Sequence, residues 1–261
     1  MNPRLVTREE AVRRRLPGSQ YVRDGHQIYL DKQSAIGRAM ELLRQARLSF
    51  FDAYCIKHAK ELQANVEADS RRARHLAYNR TRHQALDDFK IGTAIELSLR
   101  AKLIGAGYVV HRIDPESSAT KTLASDQEES PILISELLKH VGFVFDVESQ
   151  KPCYLPGLKP KSLPFDWLLD SKRYRIVIGL KERDLQIAKV FRDRRNMIHL
   201  PIGEHDKAEE HFGARPSFKD VFGFVDRHID KYADDLATLI EDDNWRRLLR
   251  AHVTEKLIEP D

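Results

Sequence analysis

The chain has 261 residues, 41% of them hydrophobic, with a net charge of +4 from 44 basic and 40 acidic side chains; this is room for one large domain with extensions or two modest ones. No apolar run approaches the roughly 18–20 residues of a membrane span, and the N-terminus, with Arg4, Arg8, Arg13, Arg14 and Arg15, lacks the apolar segment of a secretory signal, so a cytoplasmic protein is expected. The two cysteines, Cys55 and Cys153, form no CxxC pair, which argues against a disulfide framework and a thiolate zinc site.

The distribution of charge is more telling than its total. Residues 4–15 and 71–82 are rich in arginine, whereas 204–210 and 234–243 lean acidic. Basic clusters favour a polyanion such as RNA through phosphate neutralisation, although a solvated helix face is the plainer reading of any single one.

In chain order, Thr7-Arg8-Glu9-Glu10 has capping-box spacing and predicts a short helix that stops at Pro17-Gly18. A hairpin follows, with Tyr21-Val22 and Gln27-Ile28-Tyr29-Leu30 flanking the turn residues Asp24-Gly25. From Ser34, the positions Ile36, Met40, Leu43, Leu48, Phe51, Tyr54 and Leu62 keep a helical rhythm to about residue 66. Beyond the arginine-rich segment, residues 89–104 predict a second strong helix closed by Gly105 and Gly107, and its small residues suggest close helix packing. Residues 111–130 are polar and read as a loop. Pro131 fits the first turn of a helix carrying Ile132, Ile134, Leu137 and Leu138. Residues 142–163, with weak alternation and several prolines, read as an insertion holding a small hairpin. Helix resumes at Phe165, breaks near Arg173, and runs from about Leu180 to His199, where Pro201 and Gly203 end it. Residues 218–240 and 245–257 supply further helices, so the fold class is mainly α with minor β elements.

The chemistry concentrates in Phe191-Arg192-Asp193-Arg194-Arg195-Asn196-Met197-Ile198-His199-Leu200. Arg195 and His199 are four apart and share a helix face. A guanidinium that keeps its proton beside an imidazole that titrates near neutrality suits metal-free phosphodiester cleavage: one group neutralises phosphate, the other moves a proton. The plainer alternative is a surface arginine helix with a histidine favouring its C-terminal dipole.

Two segments resemble the HEPN superfamily (higher eukaryotes and prokaryotes nucleotide-binding domain), a helical bundle many of whose members are metal-independent endoribonucleases of toxin, antiphage or RNA-processing systems. Glu96-Leu97-Ser98-Leu99-Arg100-Ala101-Lys102-Leu103-Ile104, followed by Gly107, is similar to the family's second helix. Residues 192–199 are similar to its signature, an arginine, usually followed by a polar residue, and a histidine four to six positions later. Arg195-Asn196 is the typical dipeptide but leaves only three residues before His199; Arg194 leaves four and Arg192 six. Helix geometry favours Arg192 or Arg195, since Arg194 lies roughly 140° from His199 unless the helix bulges. The register stays open among the three.

The resemblance implies a HEPN-like helical domain over residues 34–241, interrupted by the 142–163 insertion, after a basic N-terminal extension (1–33) and before a C-terminal helix (242–261). It implies an endoribonuclease in which His199 moves the proton of the 2′-OH or of the leaving 5′-oxygen and an arginine stabilises the charge on phosphorus. Asn196 would bind phosphate or orient His199. RNA is then the substrate, no cofactor or metal is needed, and two copies would meet as a homodimer with a composite site, within a toxin–antitoxin or antiviral defence system that supplies an antitoxin or another partner. The alternative is a non-catalytic HEPN-like module that binds nucleic acid or a protein through its basic faces. A third reading, a metal hydrolase on His205, Asp206, Glu210 and His211, lacks compact ligand spacing and is better explained as a solvated loop. His58, His75, His83, His111 and His140 receive a structural reading, and Trp167 and Trp245 are expected in core or interface.

Overall fold

The computed structural model of the protein describes residues 5–7, 32–53, 70–115, 120–140, 144–146, 151–153, 158–196, 214–240 and 246–247. The elements are β1 (Leu5–Thr7), α1 (Lys32–Ala53), α2 (Ser70–Gly105), β2 (His111–Ile113), α3 (Lys121–Glu129), α4 (Ile134–His140), β3 (Val144–Asp146), β4 (Lys151–Cys153), β5 (Leu158–Ser162), α5 (Phe165–Asp170), α6 (Lys172–Ile178), α7 (Glu182–Asn196), α8 (Phe218–Val225), a π turn (Asp226–Asp230) and α9 (Lys231–Thr238). The class is mainly α, as composition and periodicity lead one to expect. Among the described residues, no helix is long and apolar enough to cross a membrane.

The chain divides into two compact units, one from Met1–Ala39 and Lys102–Gly179, the other from Met40–Ala101 and Leu180–Asp261. In the first, β2 and β5 form an antiparallel ribbon, and β1, β3 and β4 form a second sheet in the order β1-β3-β4. The hairpin expected within 142–163 is β3–β4, with Val144 opposite Cys153. The pairing of Leu5–Thr7 with Val144–Asp146 joins segments far apart in sequence, which periodicity along one segment does not reveal.

Residues 111–130 are not a loop: they hold β2 and α3. The helix buries only Leu123 and Gln127, one turn apart, and the second of these is polar, so its amphipathic signal is faint. Gln127 substitutes for a neighbouring strand: its Oε1 accepts from the Ile113 N–H at 2.8 Å and its Nε2 donates to the His111 carbonyl at 2.8 Å. The Tyr174 hydroxyl donates to the Gln127 carbonyl at 2.6 Å, and burial pushes the phenol pKa up.

Other boundaries also move. The helix after Pro131 starts at Ile134, because Leu133 pairs with Tyr108 as an extended bridge. The break expected near Arg173 occurs at Ser171, which caps α6, and again at Gly179, whose φ of +70° gives α6 a left-handed stop. The arginine-rich segment and the helix beyond it are one continuous helix, α2. The capping-box helix beyond Thr7, the 21–30 hairpin, the extension of α1 past Ala53, and the helix expected over 245–257, apart from Arg246 and Arg247, lie outside the described residues.

The second unit's core is built from one apolar stripe per helix. Met40, Leu43 and Phe50 of α1, Ile91, Ile95 and Leu99 of α2, and Leu185, Ala188 and Phe191 of α7 are all essentially buried. Phe50 meets Phe222 of α8 edge to face at 4.9 Å, and Arg47 reaches Asp230 at 3.5 Å. The helix expected over 218–240 is interrupted by the π turn. After the buried pair His228 and Ile229, the next buried residue is Ala233 rather than Tyr232. One extra residue in the turn therefore shifts the inward stripe along α9.

Candidate functional site

The C-terminal end of α7 carries four of the five candidate residues. Glu182 and Asp184 occupy its first turn and Arg194 and Arg195 its last, an arrangement that complements the helix dipole at both ends. At Gly92 of α2 the two helices come close enough that a Cβ there would lie 2.7 Å from the Phe191 carbonyl oxygen and 2.9 Å from the Arg195 Cβ. Glycine is thus required for the approach, not for backbone freedom. Gly92→Ala is expected to destabilise by about 1–3 kcal/mol through overpacking, partly offset by about 1 kcal/mol of helix propensity. A chemical-denaturation midpoint equal to or above that of the parent would refute the close crossing.

This approach lets the carboxylates of α2 engage the arginines of α7. Glu96 accepts from Arg195 and from Arg100, one turn further along its own helix. Burial lowers the Arg100 pKa, Glu96 draws it back up, and the charge on Arg195 lowers it again. Four residues before Gly92, Asp88 accepts from Arg194 at 3.4 Å and from Arg215 at 2.8 Å. Burial raises the Asp88 pKa and outweighs the opposing charges and hydrogen bonds of Arg215 and Arg194. Twice over, two guanidiniums share one carboxylate beside the end of α7.

The arginines differ in access. The Arg194 side chain is 3% exposed, so its guanidinium faces the core. Arg195 keeps 21% exposure and Arg192 18%, the latter also bonded to Asp193 at 2.8 Å. Asn196 is exposed. Arg192, Arg195 and Asn196 thus keep access to solvent, while Arg194 with Asp88 and Arg215 ties the end of α7 and Arg215 to α2. His199 lies outside the described residues, as does the stretch with His205, Asp206, Glu210 and His211.

A second charged cluster escaped the sequence reading. Asp184, at the start of α7, accepts from Arg227 at 2.5 Å and lies 3.0 Å from the Nε2 of His228, whose ring stacks on Phe224 at 4.4 Å. Asp184 and His228 are 3% and 2% exposed, so this is an internal tie between α7 and the π turn. No motif joins residues 184 and 228, which lie 44 positions apart, so nothing in the sequence pointed to the pair. Burial by itself raises the Asp184 pKa, but hydrogen bonds from Arg227 and His228, with their charges, hold it below the ordinary carboxylate range. A depressed native pKa gives stability that is present above the unfolded value of about 4 and is lost as pH falls through the native one. The gap in urea midpoint between the parent and Asp184→Asn, followed from neutral pH to below pH 4, should therefore stay constant down to about pH 4 and narrow as the pH falls further. A gap that stays constant over this range would overturn the assignment.

No family model matches the chain, and no curated protein or solved structure matches it.

Proposed function

We propose that the protein is a metal-independent endoribonuclease of the HEPN type. What supports the reading is a contact: the two segments that carry the resemblance meet in the folded chain, where Glu96 of α2 accepts from Arg195 of α7 beside the Gly92 crossing. Arg195, with Arg192, then neutralises the scissile phosphate and the charge that develops on it. Asn196 hydrogen-bonds a phosphate oxygen. His199 takes the proton from the 2′-OH or gives one to the departing 5′-oxygen, roles that suit the imidazole as a side chain whose reference pKa of about 6.5 is near neutrality. Two copies related as a homodimer bring two histidines to one cleft and divide the base and acid roles. The protein acts on RNA within a toxin–antitoxin or antiviral defence system.

The test is chemical. Cleavage products should carry 2′,3′-cyclic phosphate and 5′-hydroxyl ends, and a single 2′-deoxy substitution before the scissile phosphate should block cutting there. Chelators should leave the rate unchanged. A requirement for divalent metal would refute the mechanism, and a strictly monomeric protein that still cuts would remove the shared site. RNA binding without any cleavage would favour the non-catalytic module, which is supported by the engagement of Arg194 and Arg195 with carboxylates.

A further inference from the structure

α2 is longer than the core it serves. Ile91, Ile95 and Leu99 bury one side of its second half, whereas residues 70–86 precede that stripe and hold five arginines with no aspartate or glutamate. None of these arginines has a carboxylate three or four positions away on the helix, so the intrahelical pairing that Glu96 gives Arg100 is not open to them.

The burial pattern fixes which side of α2 is turned outward. Leu86 and Phe89 are 39% and 38% exposed, large apolar side chains left to solvent on a helix whose other side is core. Thr93, Glu96 and Arg100, half-buried, continue their line towards the C-terminus. Traced the other way by the same steps of three and four residues, the line passes through the positions of Arg82, Tyr78, His75 and Arg71. From Arg71 to Arg100 the steps average about 3.6 residues, the period of the helix, so these positions form one face, about 37 Å long as far as Glu96.

At Glu96 the face reaches the residue that bonds Arg195 of α7, so a single helix joins the arginine-rich segment to the candidate site. Arginines alternate along it with Tyr78 and Phe89, the two components that bind unpaired nucleic acid: cations for phosphates and rings on which bases stack. We propose that this face of α2 is the binding surface for single-stranded RNA, with Arg71 and Arg82 taking phosphates and Phe89 stacking a base, and that it leads the strand to Arg195. The proposal rests on the reading of the protein as one that acts on RNA. An acidic protein segment would use the arginines but give the aromatic positions no part. The A-form duplex is a poorer fit, because its paired bases offer no free face to a ring and its major groove is too deep and narrow to be read.

The experiment uses the full chain carrying His199→Ala and a short fluorescein-labelled RNA without secondary structure, with anisotropy titrations over a range of salt. Arg71→Gln with Arg82→Gln should weaken binding about tenfold at low salt and flatten the log–log salt slope by about 1.4, at about 0.7 per phosphate; lysine at both positions should keep most of both. Phe89→Ala should instead weaken binding about fivefold or more with the slope unchanged, from the lower end of what a stacked base contributes, and Phe89→Trp should keep it. This exposed position also serves if the arginine variant does not fold. Unchanged affinity and slope in both variants would overturn the proposal, as would a duplex or a heparin fragment that binds as tightly as the single strand and is lost in the same variants. Arginine variants that bind like the parent but unfold at lower urea would overturn it too, with an acidic segment of the chain as the occupant. A parallel cleavage assay with His199 intact separates the two readings. Loss of binding in these variants with no cleavage by the parent leaves the RNA-binding face and removes the nuclease; cleavage by the parent with the variants binding normally does the reverse.

Discussion

His199→Ala is expected to slow RNA cleavage by about 10² to 10⁴, the range for loss of a general acid or base, while RNA affinity persists through the arginines. The pH–rate profile of the parent should be bell-shaped around neutrality if two histidines of a dimer divide the proton transfers. The arginine register is settled by comparing three variants. Arg195→Ala and Arg192→Ala should lower the cleavage rate in a folded protein, because both side chains keep exposure at the end of α7. Arg194→Ala should instead lower stability, since its guanidinium is buried against Asp88. Unchanged cleavage in the His199 variant would remove the mechanism, and a rate loss confined to Arg194→Ala in a fully folded protein would reverse the register.

The largest stability effect is expected at Asp88. Asp88→Ala leaves Arg194, 3% exposed, without this carboxylate, and removes the link from α2 to Arg215. Removing one member of a buried charge pair typically costs 3–5 kcal/mol; here the low end, about 3 kcal/mol, is expected because Arg215 retains partial exposure and rehydrates. The direction of the pKa shift separates two substitutions. Burial raises the Asp88 pKa, which means that its charge is carried at a desolvation cost, and the isostere in Asp88→Asn, which keeps an acceptor oxygen without that charge, should cost less than alanine. Replacing both members, as in Asp88→Leu with Arg194→Met, should recover much of the loss, since apolar side chains need no desolvated partner. Urea unfolding followed by circular dichroism measures all three. Equal losses for Asp88→Asn and Asp88→Ala would show that the charge balance around this carboxylate is not what matters.

Helices with a continuous apolar stripe were readable because 3.6-residue periodicity is a local property. Ile36, Met40 and Leu43 announce α1, and Ile91, Ile95 and Leu99 announce α2. The polar face of α3 concealed it, because its contact with β2 runs through the Gln127 amide rather than an apolar side chain. The π turn was invisible for a related reason. An extra residue within a helix changes no composition, only which side chain faces inward, here Ala233 in place of Tyr232.

The candidate site divides in the same way. Its residue types and their spacing, an arginine-rich helix end with Asn196 and a second helix bearing Glu96 and Arg100, are written in the chain, because helix periodicity turns spacing into a shared face. Which arginine faces the core and which keeps access to solvent was decided only by tertiary packing. Asp88 and Glu96 lie about a hundred positions from their partners, and it is the close approach at Gly92 that brings Glu96 to Arg195 and leaves Arg194 buried against Asp88. Neighbouring guanidiniums of equal intrinsic chemistry thereby acquire different surroundings: Arg194 is buried against Asp88 inside the fold, and Arg195, though bonded to Glu96, keeps partial access to solvent.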